Sequence, residues 1–252
     1  MGESEETGAA YPSLRGKRVL VTGGASGIGA GIVEAFARQG SRVTFVDILN
    51  GEAEQLANDT GSTFERVDLR DIPTTTACIR RLVERDGPFE VLVNNAANDD
   101  RHQFDEVTET YWDDRLAVNL KHQFFCAQAV VPGMRASGGG AIVNLGSISW
   151  HLALPDLILY QTCKAAIEGL TRAMARDLGG DNIRVNCVVP GNIRTPRQMQ
   201  WYTPEGEAAI VDAQCLDCRL EPRDVAALVV FLASGDARGM TGHEYFVDAG
   251  WR

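Results

Sequence analysis

Short runs rich in valine, isoleucine and leucine recur along the chain, and each is followed by a stretch whose apolar residues fall at helical spacing. The runs at 18–22, 42–47, 63–67, 90–94, 141–145, 183–189 and 245–248 read as strands. Most are apolar at consecutive rather than alternate positions, the pattern of strands covered on both faces. Helices are expected at 32–37, 52–58, 73–86 and 222–233, with a longer one capped by Thr108 and running toward Met134. Another starts near Pro155 and Asp156 and stops at Gly179-Gly180. Gly40 and Gly138-Gly139-Gly140 punctuate the pattern. Strand and helix alternate throughout, which predicts an α/β fold: a doubly wound, seven-stranded parallel sheet with helices on both faces, Rossmann-like. Residues 13–252 read as a single domain, with an irregular substrate loop at about 190–219 and a mobile acidic tail at 1–12. No internal repeat interrupts this order.

Composition narrows the class. The formal net charge of −10 over 252 residues argues against a nucleic-acid surface and for a soluble protein. No apolar run approaches the ~18 residues of a membrane span. The first residues carry Glu3, Glu5 and Glu6 and lack the apolar core of a signal peptide, so the cytoplasm is expected. Most of the cysteines sit in apolar helix or strand patterns and behave as small hydrophobes. Cys215-Leu216-Asp217-Cys218 has metal-like spacing without a second pair of ligands, and the histidines form no cluster, so no metal is expected.

Chemistry concentrates in two segments. Thr22-Gly23-Gly24-Ala25-Ser26-Gly27-Ile28-Gly29 lies between the first strand and the next helix. Glycines there let the backbone approach a pyrophosphate, whose charge suits a helix N-terminus. The spacing differs from the common G-x-G-x-x-G, so position carries the reading as much as the motif does. Asp47 ends the second strand, where a carboxylate accepts hydrogen bonds from ribose hydroxyls and repels a 2′-phosphate, which favours NAD over NADP. Further on, Tyr160-Gln161-Thr162-Cys163-Lys164 places a phenol and an ammonium four residues apart on one helix face. An ammonium beside a phenol favours the phenolate, and bringing tyrosine near neutrality takes roughly 3 units, or about 4 kcal/mol. Such a pair can take a proton from an alcohol while a dinucleotide takes the hydride.

With these motifs the chain resembles the short-chain dehydrogenase/reductase family from Leu14 to its end. Thr22, Gly23, Gly27 and Gly29 match the family's glycine pattern, and Asp68 in Val67-Asp68-Leu69 matches its adenine-ring aspartate. The family's Asn-Asn-Ala-Gly stands here as Asn94-Asn95-Ala96-Ala97, with alanine for glycine. The resemblance implies Asn119, Ser147, Tyr160 and Lys164 as catalytic residues: Tyr160 as the base, Lys164 supporting it and contacting the nicotinamide ribose, Ser147 steadying the reacting oxygen, and Asn119 supporting a proton path. It implies NAD contacts at Gly23, Ser26, Gly27, Ile28, Gly29, Asp47, Asp68, Leu69, Asn95, Ala96, Tyr160 and Lys164. Pro190, Gly191, Ile193 and Thr195 match the segment that closes over the nicotinamide. A homotetramer is implied in the same way.

Segments outside these motifs resemble the family's bacterial NAD-dependent dehydrogenases of aldopentoses, D-xylose first and L-arabinose second. They are 98–102, 146–151, 201–206, 241–245 and 248–252. A sugar needs paired donors and acceptors with an aromatic ring nearby, whereas a lipid needs an apolar pocket. Asn98, Asp99, His102, Trp150, His151 and Asn192, together with Ser147 and Tyr160, are therefore the expected substrate contacts. The expected reaction is oxidation of the pentose at C1 to its lactone. The competing readings are reduction of a lipid or carrier-bound carbonyl, and a nucleotide sensor that no longer catalyses.

Overall fold

The computed structural model describes residues 8–251. Seven parallel strands form one sheet in the order β3-β2-β1-β4-β5-β6-β7. They are β1 (Arg18–Thr22), β2 (Arg42–Asp47), β3 (Thr63–Arg66), β4 (Val91–Asn94), β5 (Gly140–Leu145), β6 (Ile183–Pro190) and β7 (Glu244–Val247). The helices between them are α1 (Gly27–Arg38), α2 (Gly51–Thr60), α3 (Ile72–Asp86), α4 (Glu109–Leu116), α5 (His122–Ala136), α6 (Ile158–Leu178), α7 (Pro196–Met199), α8 (Pro204–Asp212) and α9 (Pro222–Ala233).

Alternate side chains of each strand reach opposite layers. Val19 and Val21 of β1, with Val91 and Val93 of β4, pack against Ile32 and Phe36 of α1 and Val225 and Val229 of α9. Leu20, Leu92 and Ile142 face the other way, onto Ile79 and Leu82 of α3 and Val130 and Met134 of α5. Both faces of the sheet are thus covered, which accounts for the continuous apolar runs. Chain order reverses between β1 and β4, so the loops leaving those two strands diverge and open a crevice at the C-terminal edge of the sheet.

Several boundaries differ from those read in the sequence. The helix capped by Thr108 is not uniform: a π turn, Ala117–Lys121, separates α4 from α5. Helix α6 begins at Ile158, two residues after Asp156, because Asp156 adopts a left-handed backbone (φ 63) that cannot continue a helix. The 190–219 stretch contains α7 and α8, each opened by a Thr-Pro pair in which the hydroxyl of Thr195 or Thr203 accepts a backbone N–H and proline takes the first helical position. The expected 1–12 tail is also too long. Ala9 O accepts from Gln39 Nε2 at 2.9 Å, and Tyr11 N donates to Gln39 Oε1 at 2.7 Å. Met1 to Thr7 lie outside the described residues. Among the described residues no helix is long and apolar enough to cross a membrane, and no group of three or more His, Cys, Asp or Glu could hold a metal.

His122, the first residue of α5, is fully buried. Burial pulls its imidazole down to about 4, an effect the Ala117 carbonyl partly offsets and the nearby Lys164 charge reinforces. The folded value therefore lies below the ~6.5 of an exposed histidine, and the unfolded chain takes up the proton first as pH falls. Stability from this residue is complete above about 6.5 and is lost on the way down to about 4, by roughly 3 kcal/mol in all. We expect the thermal midpoint of the wild type to drop between pH 7 and pH 4.5. His122→Gln should remove several degrees of that drop; equal drops in both proteins would refute the assignment.

Candidate active site

The glycine turn is shaped by close approaches. At Gly23 the backbone is left-handed (φ 65), and a Cβ would stand 2.7 Å from Ala96 Cα. A Cβ on Gly29 would meet the Gly23 carbonyl oxygen at 1.9 Å. The turn is stitched to the end of β4, since Asn95 Nδ2 donates to the carbonyls of Thr22 and Gly23 at 3.0 and 2.8 Å. The Thr22 hydroxyl accepts from the backbone N–H groups of Asn95 and Ala96. Ser26 is the N-cap of α1, its hydroxyl makes no capping bond, and the first turn, which holds Ile28, carries no acidic side chain. An anion-ready helix end is the result, and it fits a pyrophosphate.

The remaining expected cofactor residues border the same crevice. Asp47 Oδ2 accepts from Ala25 N at 2.9 Å and Oδ1 from Ile48 N at 2.7 Å, which fixes the carboxylate beside the turn. Asp68 is paired with Arg70 at 2.7 Å, a hydrogen bond that holds its carboxyl below the usual range, and Leu69 beside it is buried. Pro190 ends β6, and a Cβ on Gly191 would stand 2.7 Å from Asp248 Cα. Ile193 is buried and bridges to Leu220, while Thr195 Cγ2 lies 3.3 Å from where a Cβ on Gly27 would be. The strap after β6 therefore starts against the glycine turn. Ala97, exposed and outside the left-handed region, fits without strain where the family carries glycine.

Helix α6 brings Tyr160 and Lys164 together one turn apart. The ammonium lies 5.4 Å from the phenol ring centroid and donates to Leu145 O, at the end of β5, at 2.7 Å. Burial brings Lys164 down to about 8. Tyr160 moves opposite to the sequence-based expectation. Burial and the Asp99 carboxylate push its phenol above the ordinary value, while the Ser147 hydrogen bond and Arg197 pull it back. Desolvation is the largest influence and outweighs the opposing pulls of Ser147 and Arg197. Ser147 Oγ lies 3.0 Å from Ser149 Oγ and accepts from Ser149 N at 3.1 Å. Asn119 lies in the π turn, fully buried. Its amide closes a ring with Asn98, with Oδ1 accepting from Asn98 N at 2.8 Å and Nδ2 donating to Asn98 O at 3.0 Å.

The expected substrate residues divide. Asp99 is held by Arg197 and Gln198, Asn192 by Tyr202, and Asn98 by Asn119 through its backbone. His102 is 8% exposed, its Nε2 accepts from Leu159 N at 3.4 Å and its Nδ1 lies 3.2 Å from Asp100 O. Trp150 Nε1 donates to Glu168 Oε1 at 2.8 Å, and His151 Nε2 is 3.2 Å from the same oxygen. A carboxylate 7% exposed needs such partners, and these two rings supply them. The sequence reading missed Arg197, Gln198 and Tyr202. Arg197 Nε and Gln198 Nε2 donate to the two oxygens of Asp99 at 3.0 and 2.8 Å, and Tyr202 OH donates to Gln198 Oε1 at 3.0 Å. The Thr-Pro pair at 195–196 was the available signal that this stretch is ordered.

Comparison with known proteins agrees with this geometry. A family profile described as Enoyl-(Acyl carrier protein) reductase matches residues 23–252. The D-xylose 1-dehydrogenase of Caulobacter vibrioides is 58% identical over 249 residues, covering 97% of this chain and 99% of that protein. A probable galactose dehydrogenase, GalD, of Rhizobium meliloti is 47% identical over 247 residues, covering 95% and 96%. A solved structure described as a short chain dehydrogenase/reductase family protein superposes with a TM-score of 0.84 at 31% identity, covering 94% of this chain and 98% of that one.

The Glu168 contacts separate two roles for Trp150. Trp150→Phe keeps a ring and deletes the indole donor to the buried carboxylate, a loss worth about 1–3 kcal/mol. We expect a lower thermal midpoint and a substrate KM within about twofold of the wild type. A large rise in KM at unchanged thermal midpoint would restore Trp150 as a substrate contact.

Proposed function

We propose an NAD-dependent sugar dehydrogenase that oxidises an aldopentose at C1, D-xylose first, on the premise that the chain belongs to the short-chain dehydrogenase/reductase family. The observation that carries the substrate is the 58% identity to a D-xylose 1-dehydrogenase across nearly the full length of both chains. L-arabinose is the next sugar in this reading, and the relative named as a galactose dehydrogenase keeps the wider aldose class in play. The protein acts in the cytoplasm as a homotetramer in this proposal, on the family resemblance.

The catalytic residues have separable tasks. Bound NAD supplies the acceptor for the hydride that leaves C1. Tyr160 takes the proton of the C1 hydroxyl, so the sugar loses one hydride and one proton and becomes the lactone. Ser147, hydrogen-bonded to the phenol, holds the same substrate oxygen as it becomes a carbonyl. Lys164 keeps a positive charge beneath Tyr160 that favours the phenolate whenever the ammonium is protonated. Asn119 fixes Asn98 and with it the loop that frames the sugar.

The substrate assignment is tested by following NADH absorbance with a panel of sugars. D-xylose should give the highest kcat/KM, D-glucose a clearly lower one because its extra hydroxymethyl group must fit the same pocket, and xylonolactone should appear before xylonate. Tyr160→Phe should lower kcat by at least about 100-fold with NAD binding little changed. Because oxidation needs the phenolate, and the phenol lies above its ordinary value, the wild-type rate should rise with pH through neutrality. Turnover of a steroid or long-chain alcohol, with none of any aldose, would end the sugar reading.

Cofactor choice is proposed to follow Asp47, whose fixed carboxylate would face a 2′-phosphate with like charge. NAD should be strongly preferred, and Asp47→Ser should raise the NADP-to-NAD ratio of kcat/KM by about tenfold, the factor equivalent to ~1.4 kcal/mol. Equal use of NADP by the unaltered protein would contradict the role given to Asp47.

A further inference from the structure

A line of polar side chains runs from the loop after β6 to the loop after β4. Asn192 Nδ2 donates to Tyr202 OH at 2.6 Å, Tyr202 OH to Gln198 Oε1 at 3.0 Å, and Gln198 Nε2 to Asp99 Oδ2 at 2.8 Å. All four residues are half-buried, so they are fixed in place and still reachable from the crevice. Asp99 follows Asn98, whose backbone is bonded to Asn119, and the strap that carries Gln198 begins with Thr195 against Gly27, which places the line at the crevice.

We infer that Gln198 and Tyr202, with Asp99 and Asn192, form the surface that reads the non-reacting hydroxyls of the sugar. A pyranose presents neighbouring hydroxyls, each of which gives one hydrogen bond and accepts others. The line offers the matching alternation: amide, phenol, amide, carboxylate. Each member keeps spare capacity. The second N–H of Gln198 Nε2 is uncommitted, and each Asp99 oxygen accepts one bond, from Gln198 or Arg197, of the two it can take. The line is also stiffened from behind. Arg219 donates to Asn192 Oδ1 at 3.1 Å, pairs with Glu207 at 2.9 Å, and has its guanidinium 6.0 Å from the Tyr202 ring centroid. A site built to hydrogen-bond a hydroxyl rejects an analogue that lacks it, because its own buried groups are then left unpaired. This assignment adds Gln198 and Tyr202 to the expected contacts; Trp150 Nε1 and His151 Nε2 meet Glu168, and His102 is bonded to Asp100 and Leu159. It rests on the aldopentose reading proposed above.

The test is a cycle between enzyme and substrate variants. Wild type, Gln198→Ala and Tyr202→Phe are assayed with D-xylose and with its analogues lacking the hydroxyl at C2, C3 or C4. Each variant should raise the KM for D-xylose by about tenfold or more, with kcat changed less and the KM for NAD within about twofold. For at least one analogue, the penalty seen with the wild type should shrink in a variant, because the partner of the missing hydroxyl is already gone. A purely structural role predicts penalties that simply multiply. Multiplying penalties for every analogue, or an unchanged KM for D-xylose, in a wild type that does oxidise pentoses would overturn this inference alone. A wild type that oxidises no aldose would overturn the function reading and this inference with it. Should Tyr202→Phe fail to fold, Gln198→Asn, one methylene shorter, carries the same cycle.

Discussion

A lysine ammonium held out of water, 2.7 Å from the carbonyl that ends β5, ties the catalytic helix to the sheet. Lys164 is 2% exposed, and taking such a charge out of water costs several kcal/mol unless polar groups surround it. Desolvation is the reason it falls to about 8, so the charge is poised instead of permanent. The same bond decides where Tyr160 sits, since the two residues share one face of α6 a single turn apart. The ammonium lies 5.4 Å from the ring centroid, and the phenol still stays above its ordinary value because desolvation outweighs the pulls of Ser147 and Arg197.

The stripe continues to Glu168, one further turn along α6. Its carboxylate reaches past the end of β5, where a Cβ on Gly146 would stand 3.5 Å from Oε1, and gathers Trp150 and His151. One helix face therefore carries the proton acceptor, the charge beneath it and the anchor of the loop that bears Ser147. Spacing by four is the economy here: three tasks are aligned by helix geometry alone.

The fold class was legible in the sequence, and the candidate catalytic group was readable from the same order of elements. Strands covered on both faces must be apolar at consecutive positions, and hydride chemistry at a glycine turn needs few residue types at fixed spacing. Tyr160 and Lys164 meet because they lie one turn apart on α6, and Asn119 meets Asn98 across the end of the sheet. The substrate side was legible only as composition. Polar and aromatic residues at 98–102 and 150–151 carry the chemistry of sugar recognition, yet periodicity gives no direction for a loop side chain. The hydrogen bonds give those directions: Trp150 and His151 reach Glu168 and His102 bonds to Leu159, whereas Gln198 and Tyr202 hang from a strap whose order depends on two threonine caps. The π turn was hidden for a similar reason, since a single extra backbone residue leaves the apolar pattern of the helix nearly unchanged.

A chain of charges links the two ends of the crevice. Asp68 pairs with Arg70, Arg70 with Asp114 at 2.9 Å, Asp114 with Arg115, Arg115 with Asp100 at 3.2 Å, and Asp100 with Arg197 at 2.6 Å. Most of these side chains are half-exposed, and pairs of that kind contribute about 0–1 kcal/mol each. Stability is therefore a poor account of them. Their consequence is geometric: Asp68, after β3, and the strap after β6 are held by opposite ends of one network. The loop after β4 lies between them, with its backbone fixed by Asn119 and its carboxylates by Arg115 and Arg197. An arginine at 197 can draw Asp99 and Asp100 together while moderating the effect of Asp99 on Tyr160. The side chain that fixes the strap to the loop after β4 thus also carries the positive charge that faces Asp99.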